Sequence, residues 1–135
     1  MYFLDADVCI EFMRGRCPEG YKMLKQSQPS MFKIPSIVVG ELMTGVEKSQ
    51  NPKANRLMTE CFLAPFEVVD YDYACALKYA AVRADLESRG CKIGPKDTMI
   101  AAMALVHSAV LVTNNLGEFK RVKGLQLESW SVEDF

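Results

Sequence analysis

The sequence predicts an α/β protein, a three-layer α/β/α sandwich around a central, mostly parallel sheet. Apolar runs of a few residues recur along the chain, each parted from the next by a helical stretch, which is how βαβ units read. Runs such as Tyr2-Phe3-Leu4 and Val110-Leu111-Val112 are apolar throughout rather than alternating, as strands covered on both faces are. The 135 residues, 50% hydrophobic and 24% charged, suit one globular domain over 1–135 and exclude a disordered or fibrous chain.

In order, Tyr2–Leu4 reads as a buried strand that stops at Asp5, followed by a short helix over Val8–Arg14 that halts near Gly15. A helix over Glu19–Gln28 closes at Pro29, and Met31–Ile34 is the second strand. Ser36 is expected to cap a helix from Ile37 to Ser49. Asn51-Pro52 opens another through Phe62, because Pro is harmless in a first helical turn. Phe66–Val69 is the third strand. Asp72 caps a long helix, Tyr73–Arg89, carrying a small-residue stripe of Leu77, Ala80, Ala81 and Ala84, and Gly90 supplies a left-handed stop. Pro95 and Asp97 start the helix Thr98–His107. Val110–Val112 is the fourth strand and Leu125–Leu127 an edge strand.

Charge and cysteine narrow the function classes. Sixteen Lys and Arg against 17 Asp and Glu give a net charge of −1, which excludes a polycationic arm but not a local patch for nucleic acid. Five cysteines without a CxxC pair argue against a disulfide scaffold or a zinc knuckle and for a reducing compartment. Asp5 and Asp7 interrupt the N-terminal apolar run, and the stretch from Met99 to Val112 is too short and too polar for a membrane span. The expectation is a soluble, cytoplasmic protein without a membrane partner.

In an open parallel sheet, sites form beyond the carboxyl ends of the strands. Asp5 and Asp7 follow strand one, and Glu41 sits early in the helix after strand two. Asp97 opens an otherwise apolar helix, while Thr113-Asn114-Asn115 follows strand four with Glu118 just beyond. Singly, Asp97 reads as a plain N-cap, Glu41 as an exposed helical acid and the Thr-Asn-Asn as a polar turn. Asp5, in line with a buried strand and without an evident capping role, needs a partner to offset its desolvation.

Converging carboxylates repel by about 4 kcal/mol per pair at ~4 Å and an effective dielectric near 20, so such a cluster holds protons or a cation. Oxygen-only donors favour Mg²⁺ or Mn²⁺ over zinc. Either ion activates water and neutralises phosphate charge, which points to phosphodiester hydrolysis.

The motifs FLDADVCI, ELMTGVEKSQ, GPKDTMIAAMAL and LVTNNLGEFKRVKGLQLESW, in this order from strand one to Trp130, resemble the VapC-type toxins of the PIN-domain family. The resemblance implies an α/β/α Mg²⁺- or Mn²⁺-dependent endoribonuclease that cuts a tRNA or rRNA loop to inhibit translation. It also implies a homodimer held inactive by a cognate VapB-type antitoxin. Carried over by position, Asp5, Glu41 and Asp97 match the first three family acids. The fourth role goes to Glu118, because Asn115 carries an amide where many members have Asp. Asp7 stands where Asn is usual. Asp5 and Asp97 are then the main metal ligands, with Glu41 orienting or deprotonating the attacking water and Glu118 completing the shell. Asp7, Asn115 and Thr113 support them, the Thr113 hydroxyl tethering one acid.

For RNA phosphates, the candidates are Lys92 and Lys96 before Asp97, Lys120, Arg121 and Lys123 after Glu118, and Arg14 and Arg16 near the first corner. His107 is expected to meet carbonyls at a helix end, and Phe119 and Trp130 to pack. Methionines between Met13 and Met58 help line an apolar groove for an amphipathic antitoxin segment whose Arg reaches the acids. Two rival readings accompany this one. FLDADV also resembles the strand end of haloacid-dehalogenase-type phosphatases, with Asp5 as nucleophile. A degenerate PIN module would only bind RNA or antitoxin.

Overall fold

The structure is a computed structural model that describes residues 1–15, 22, 24 and 28–130. The helix expected over Glu19–Gln28 lies largely outside the described residues, as do Arg16 and Cys17. Strand β1 (Tyr2–Leu4) leads into α1 (Ala6–Met13), and a 3₁₀ turn at Pro29–Met31 precedes β2 (Phe32–Pro35). Then come α2 (Ser36–Glu47), α3 (Pro52–Leu63), β3 (Glu67–Val69) and α4 (Tyr73–Ser88). The chain continues through α5 (Pro95–Val106), β4 (Val110–Val112), α6 (Leu116–Phe119) and β5 (Gln126–Glu128).

The five strands form one sheet in the order β3-β2-β1-β4-β5, every pairing parallel. From β1 the chain steps outward to β2 and β3, then crosses back to β4 and steps outward again to β5. Right-handed crossovers running in opposite directions put α1, α2 and α3 on one face and α4 and α5 on the other. Strand order therefore reverses between β1 and β4, the place where doubly wound sheets open a crevice.

The core is built from the strands and α5. Phe3, Leu4, Ile34, Leu111 and Val112 are fully buried, together with Ile100, Ala101, Ala102, Met103 and Ala104. The run of small and unbranched residues in α5 lets that helix pack closely on both sheet and α4. Phe119 is buried as expected. Trp130, 4% exposed, packs its ring against Tyr2, Phe12 and Phe32 at centroid distances of 5.9, 6.3 and 5.5 Å.

Several ends differ from the sequence reading for local reasons. Ser36 is the first residue of α2, not its cap. Pro35 occupies the cap position, and Ser36 Oγ instead accepts the Tyr71 N–H at 3.1 Å, holding the exit of β3 against the start of α2. Asn51 and Asp72 do cap α3 and α4, accepting from Ala54 N and Cys75 N at 3.3 and 3.0 Å. Gly90 adopts φ +67°. The stripe of Leu77, Ala80, Ala81 and Ala84 faces outward, while Cys75, Val82 and Leu86 make the buried side of α4. Cys9, Cys61, Cys75 and Cys91 are all free thiols. No helix among the described residues is long and apolar enough to cross a membrane.

Candidate active site

The reversal between β1 and β4 sets the first contact of the site. Asp5 continues the ladder one residue past β1, its N–H donating to Val112 O at 3.0 Å, which brings its side chain beside Thr113. Asp5 is 6% exposed and Thr113 fully buried. The Thr113 hydroxyl donates to Asp5 Oδ2 at 2.8 Å and accepts from Asn115 N at 3.0 Å. Contrary to the sequence expectation, Asp5 does have a local role. It caps α1, with Oδ1 accepting from Ala6 N at 2.8 Å. Both oxygens of this buried carboxylate are thus engaged, while burial still pushes its pKa up.

Asp7 joins α1 to the exit of β4. Its Oδ1 accepts from Val8 N at 2.7 Å and its Oδ2 from Asn114 N at 3.0 Å. Burial first, then the charge of Asp5, raise it to about 6. Asp7 is therefore a strut of the pocket wall.

Glu41, on the second turn of α2, faces the same hollow. Burial and then Asp5 raise its proton affinity. Its Oε1 is buried without a hydrogen-bond partner among the described residues, and its Oε2 lies 3.7 Å from Lys96 Nζ.

Asp97 is not the cap of α5. Gly94 holds that position and Pro95 begins the first turn, so Asp97 is the third residue of the helix, with its carboxylate free to face the other acids. Burial, then the charges of Asp5, Glu118 and Glu41, raise it to about 6. Asn115 Nδ2 reaches Asp97 Oδ2 at 3.4 Å. Asp97 thus feels the charges of Asp5, Glu41 and Glu118, acids that come from three other stretches of chain.

Asp7 and Asp97 bind protons more tightly folded than unfolded, so the native state holds extra protons between pH about 4 and 6. Their contribution to stability is present below that window and lost as pH rises through about 6. Both are partly exposed, and solvent screening discounts the effect. Without divalent ions, the protein is expected to melt about 3–5 °C lower at pH 7.5 than at pH 5. Asp97→Asn should reduce the difference in calorimetry.

The donor set fits Mg²⁺ or Mn²⁺. It is all oxygen, it has an unsatisfied buried oxygen on Glu41, and Asp5, Glu41 and Asp97 carry raised proton affinities that a cation would relieve. Among the described residues, no three of these groups close into a ready-made ligand cluster. A hydrated ion suits that spacing, because Mg²⁺ keeps several waters and carboxylates reach it through them.

Of the cationic candidates, only Lys96 acts on Asp5 and Glu41 among the described residues. Arg121 donates to Lys92 O at 3.3 Å and Arg89 to Arg121 O at 2.7 Å, gathering these side chains into one patch at the α4–α5 and α6–β5 connections. Lys120 is exposed beside them, and Lys123 pairs with Asp85 at 3.7 Å. Arg14 is exposed at the end of α1. His107 ends α5, about 15 Å along the helix from Asp97 by a rise of ~1.5 Å per residue. Its ring lies 5.6 Å from Phe3, and its buried Nε2 has no partner among the described residues, so the expected contact with carbonyls is not seen.

Removing the buried Thr113 hydroxyl strands two groups at once, a carboxylate oxygen and the Asn115 N–H. Thr113→Val is expected to cost about 1–3 kcal/mol in urea unfolding. It should also lower any activity of the site about tenfold, because Asp5 loses its orientation.

Residues 2–125 match the PIN-domain family model. The chain belongs to the PIN-domain family. This PIN-domain chain is 36% identical over 131 residues to Ribonuclease VapC2 of Rickettsia felis, covering 96% of this chain and 98% of that one. It is 38% identical over 129 residues to the tRNA(fMet)-specific endonuclease VapC of Salmonella typhimurium, covering 96% and 97%. Two crystal structures superpose with TM-scores of 0.90. One is VapBC2 from Rickettsia felis bound to a promoter DNA fragment, at 34% identity over 96% of this chain and 98% of that one. The other is DNA-bound VapBC from Salmonella typhimurium, at 36% identity over 96% and 97%. The phosphatase reading is thereby set aside.

The sequence reading placed Thr113 correctly as a tether, but it missed two contacts. One is Asp7 with the Asn114 N–H, whose only sequence trace is the Asp-x-Asp itself. The other is Lys96 with Glu41, which adjacency to Asp97 at a helix start could have suggested.

Proposed function

We propose that this PIN-domain chain is the toxin of a VapBC-type toxin-antitoxin pair, a divalent-metal-dependent endoribonuclease that hydrolyses a phosphodiester bond in tRNA. The carrying observation is the gathering of acids at the sheet's reversal point, where buried Asp5 is held by Thr113, Glu41 keeps a buried unpartnered oxygen, and Asp97 is reached by Asn115 and by the charges of Asp5, Glu41 and Glu118. The relatives named VapC ribonuclease and tRNA(fMet)-specific endonuclease support the substrate class.

Asp5, Asp97, Glu41 and Glu118 would hold Mg²⁺ or Mn²⁺, which supplies Lewis acidity toward water and the phosphate. Asp5 is fixed by Thr113 and by its capping bond, so it offers a rigid wall. Glu41, whose burial favours the protonated form, orients the attacking water and accepts its proton. Asn115 holds Asp97 by its amide, and Glu118 adds a further negative charge beside it. The basic patch of Lys92, Lys120 and Arg121 meets phosphates flanking the cut. Selection then rests on RNA shape and unpaired bases.

A cognate VapB-type antitoxin would cover this face. Leu57 and Met58 on α3, with Met31 ahead of β2, leave apolar surface for an amphipathic segment. A homodimer follows the family pattern.

The test is incubation of purified protein with total tRNA and Mg²⁺ or Mn²⁺, with mapping of the new RNA ends. Cutting within one tRNA loop, stopped by chelation and by the cognate antitoxin, is the expected result. Intact tRNA with either ion would overturn the reading.

A further inference from the structure

Lys96 occupies an unusual place. It follows Pro95 in the first turn of α5, immediately before Asp97, and its side chain is 66% exposed along a flexible stem. Its ammonium nevertheless turns inward to 3.7 Å from Glu41 Oε2, whose carboxylate is 22% exposed. The other oxygen of Glu41 is buried and unpartnered among the described residues. Here an exposed cation reaches a carboxylate that faces a hollow of like charges. The RNA-contact role expected for Lys96 does not account for that inward turn.

We propose that Lys96 is a tethered counter-ion of the acid hollow, which stands on the open face of Glu41 and which a divalent ion must displace to reach that carboxylate. The inference rests on the metal-dependent reading above and deepens it, by naming what regulates ion entry.

Lys96 reaches Glu41 from a different element, so the pairing depends on α2 and α5 lying side by side rather than on helix spacing. Its exposure makes the pair weak enough to release, as solvent-screened ion pairs are. Its charge is also the one cationic influence on both Asp5 and Glu41 among the described residues. Displacement needs only rotation of the four-carbon stem into solvent, where the ammonium is well hydrated. Lys96 is on this account a positioning residue that acts through Glu41.

The test is Mn²⁺ binding to the full-length chain, followed by calorimetry and by electron paramagnetic resonance of the free ion. Wild type is compared with Lys96→Met, which keeps the stem and removes the charge, and with Lys96→Arg, which keeps the charge. A unit positive charge a few ångströms from a divalent ion is worth about tenfold in affinity near a surface. Lys96→Met should therefore bind Mn²⁺ about tenfold more tightly, and Lys96→Arg within about twofold of wild type. The melting temperature of Lys96→Met should be lower without Mn²⁺, and its rise on adding Mn²⁺ larger than that of wild type. Damaged folding would not give that pair of opposite signs. Equal or weaker affinity in Lys96→Met, or equal tightening in Lys96→Arg, would overturn the proposal while leaving the metal site intact. Mn²⁺ binding by none of the three proteins would instead overturn the metal-dependent reading, and this inference with it.

Discussion

Asp5→Asn and Asp97→Asn should each lower RNA cleavage by about 10³-fold or more while the protein stays folded. Each substitution removes a negative charge from a site whose proposed chemistry depends on gathering a cation and steering water. For Asp5 the structural consequences are small. Asn is as good a cap for α1 as Asp, its carbonyl oxygen can keep the Ala6 N–H, and loss of the buried charge that raised the pKa offsets the Thr113 hydroxyl's loss of its acceptor. Stability is expected within about 1 kcal/mol of wild type. For Asp97, the neutral amide relieves repulsion from Asp5, Glu118 and Glu41, so the variant should be more stable than wild type at neutral pH without metal. The double variant should be hardly worse than either single one, because groups that act as a unit lose their function together. Single-turnover cleavage of the tRNA that end mapping identifies checks all three. Undiminished cleavage in both single variants would defeat the assignment.

Glu118→Gln is expected to reduce cleavage about 10²-fold, and Asn115→Ala far less. The two residues compete for the fourth role, and charge separates them. Glu118 adds a negative charge near enough to raise the Asp97 pKa. Asn115 offers a neutral amide at 3.4 Å, a long contact, and its backbone N–H is already spent on Thr113. A cation gains from the carboxylate and little from the amide. Mn²⁺ affinity should follow the same order, with the larger loss in Glu118→Gln. A reversed order in both measurements would move the fourth role to Asn115.

Much of the architecture was written locally. Three-residue apolar runs bounded by polar residues mark β1 and β4, because a strand covered on both faces has no polar side to display. Asn51, Asp72 and Gly90 mark helix ends by side-chain capping and left-handed backbone, which need only neighbours in sequence. Ends were misread where a distant partner claimed the residue. Ser36 was taken from its capping role by Tyr71, 35 residues on, and Asp97 was displaced from the cap because Gly94 and Pro95 begin α5 earlier.

The sequence by itself determined the alternation of strand and helix, the family, and which acids stand at the carboxyl ends of strands. The alternation and the acids follow from periodicity and residue type, which act over a few neighbouring positions, while the family followed from the resemblance of four motifs. Only the tertiary structure decided the rest: that Asp5 meets Thr113, that Asp7 latches Asn114, that Glu118 rather than a cap residue attends Asp97, and that Lys96 turns toward Glu41. Partners up to 108 residues apart meet because β1 and β4 pair where strand order reverses. The energy of such contacts depends on burial and on charges brought in from other elements, quantities that exist only once the sheet has closed.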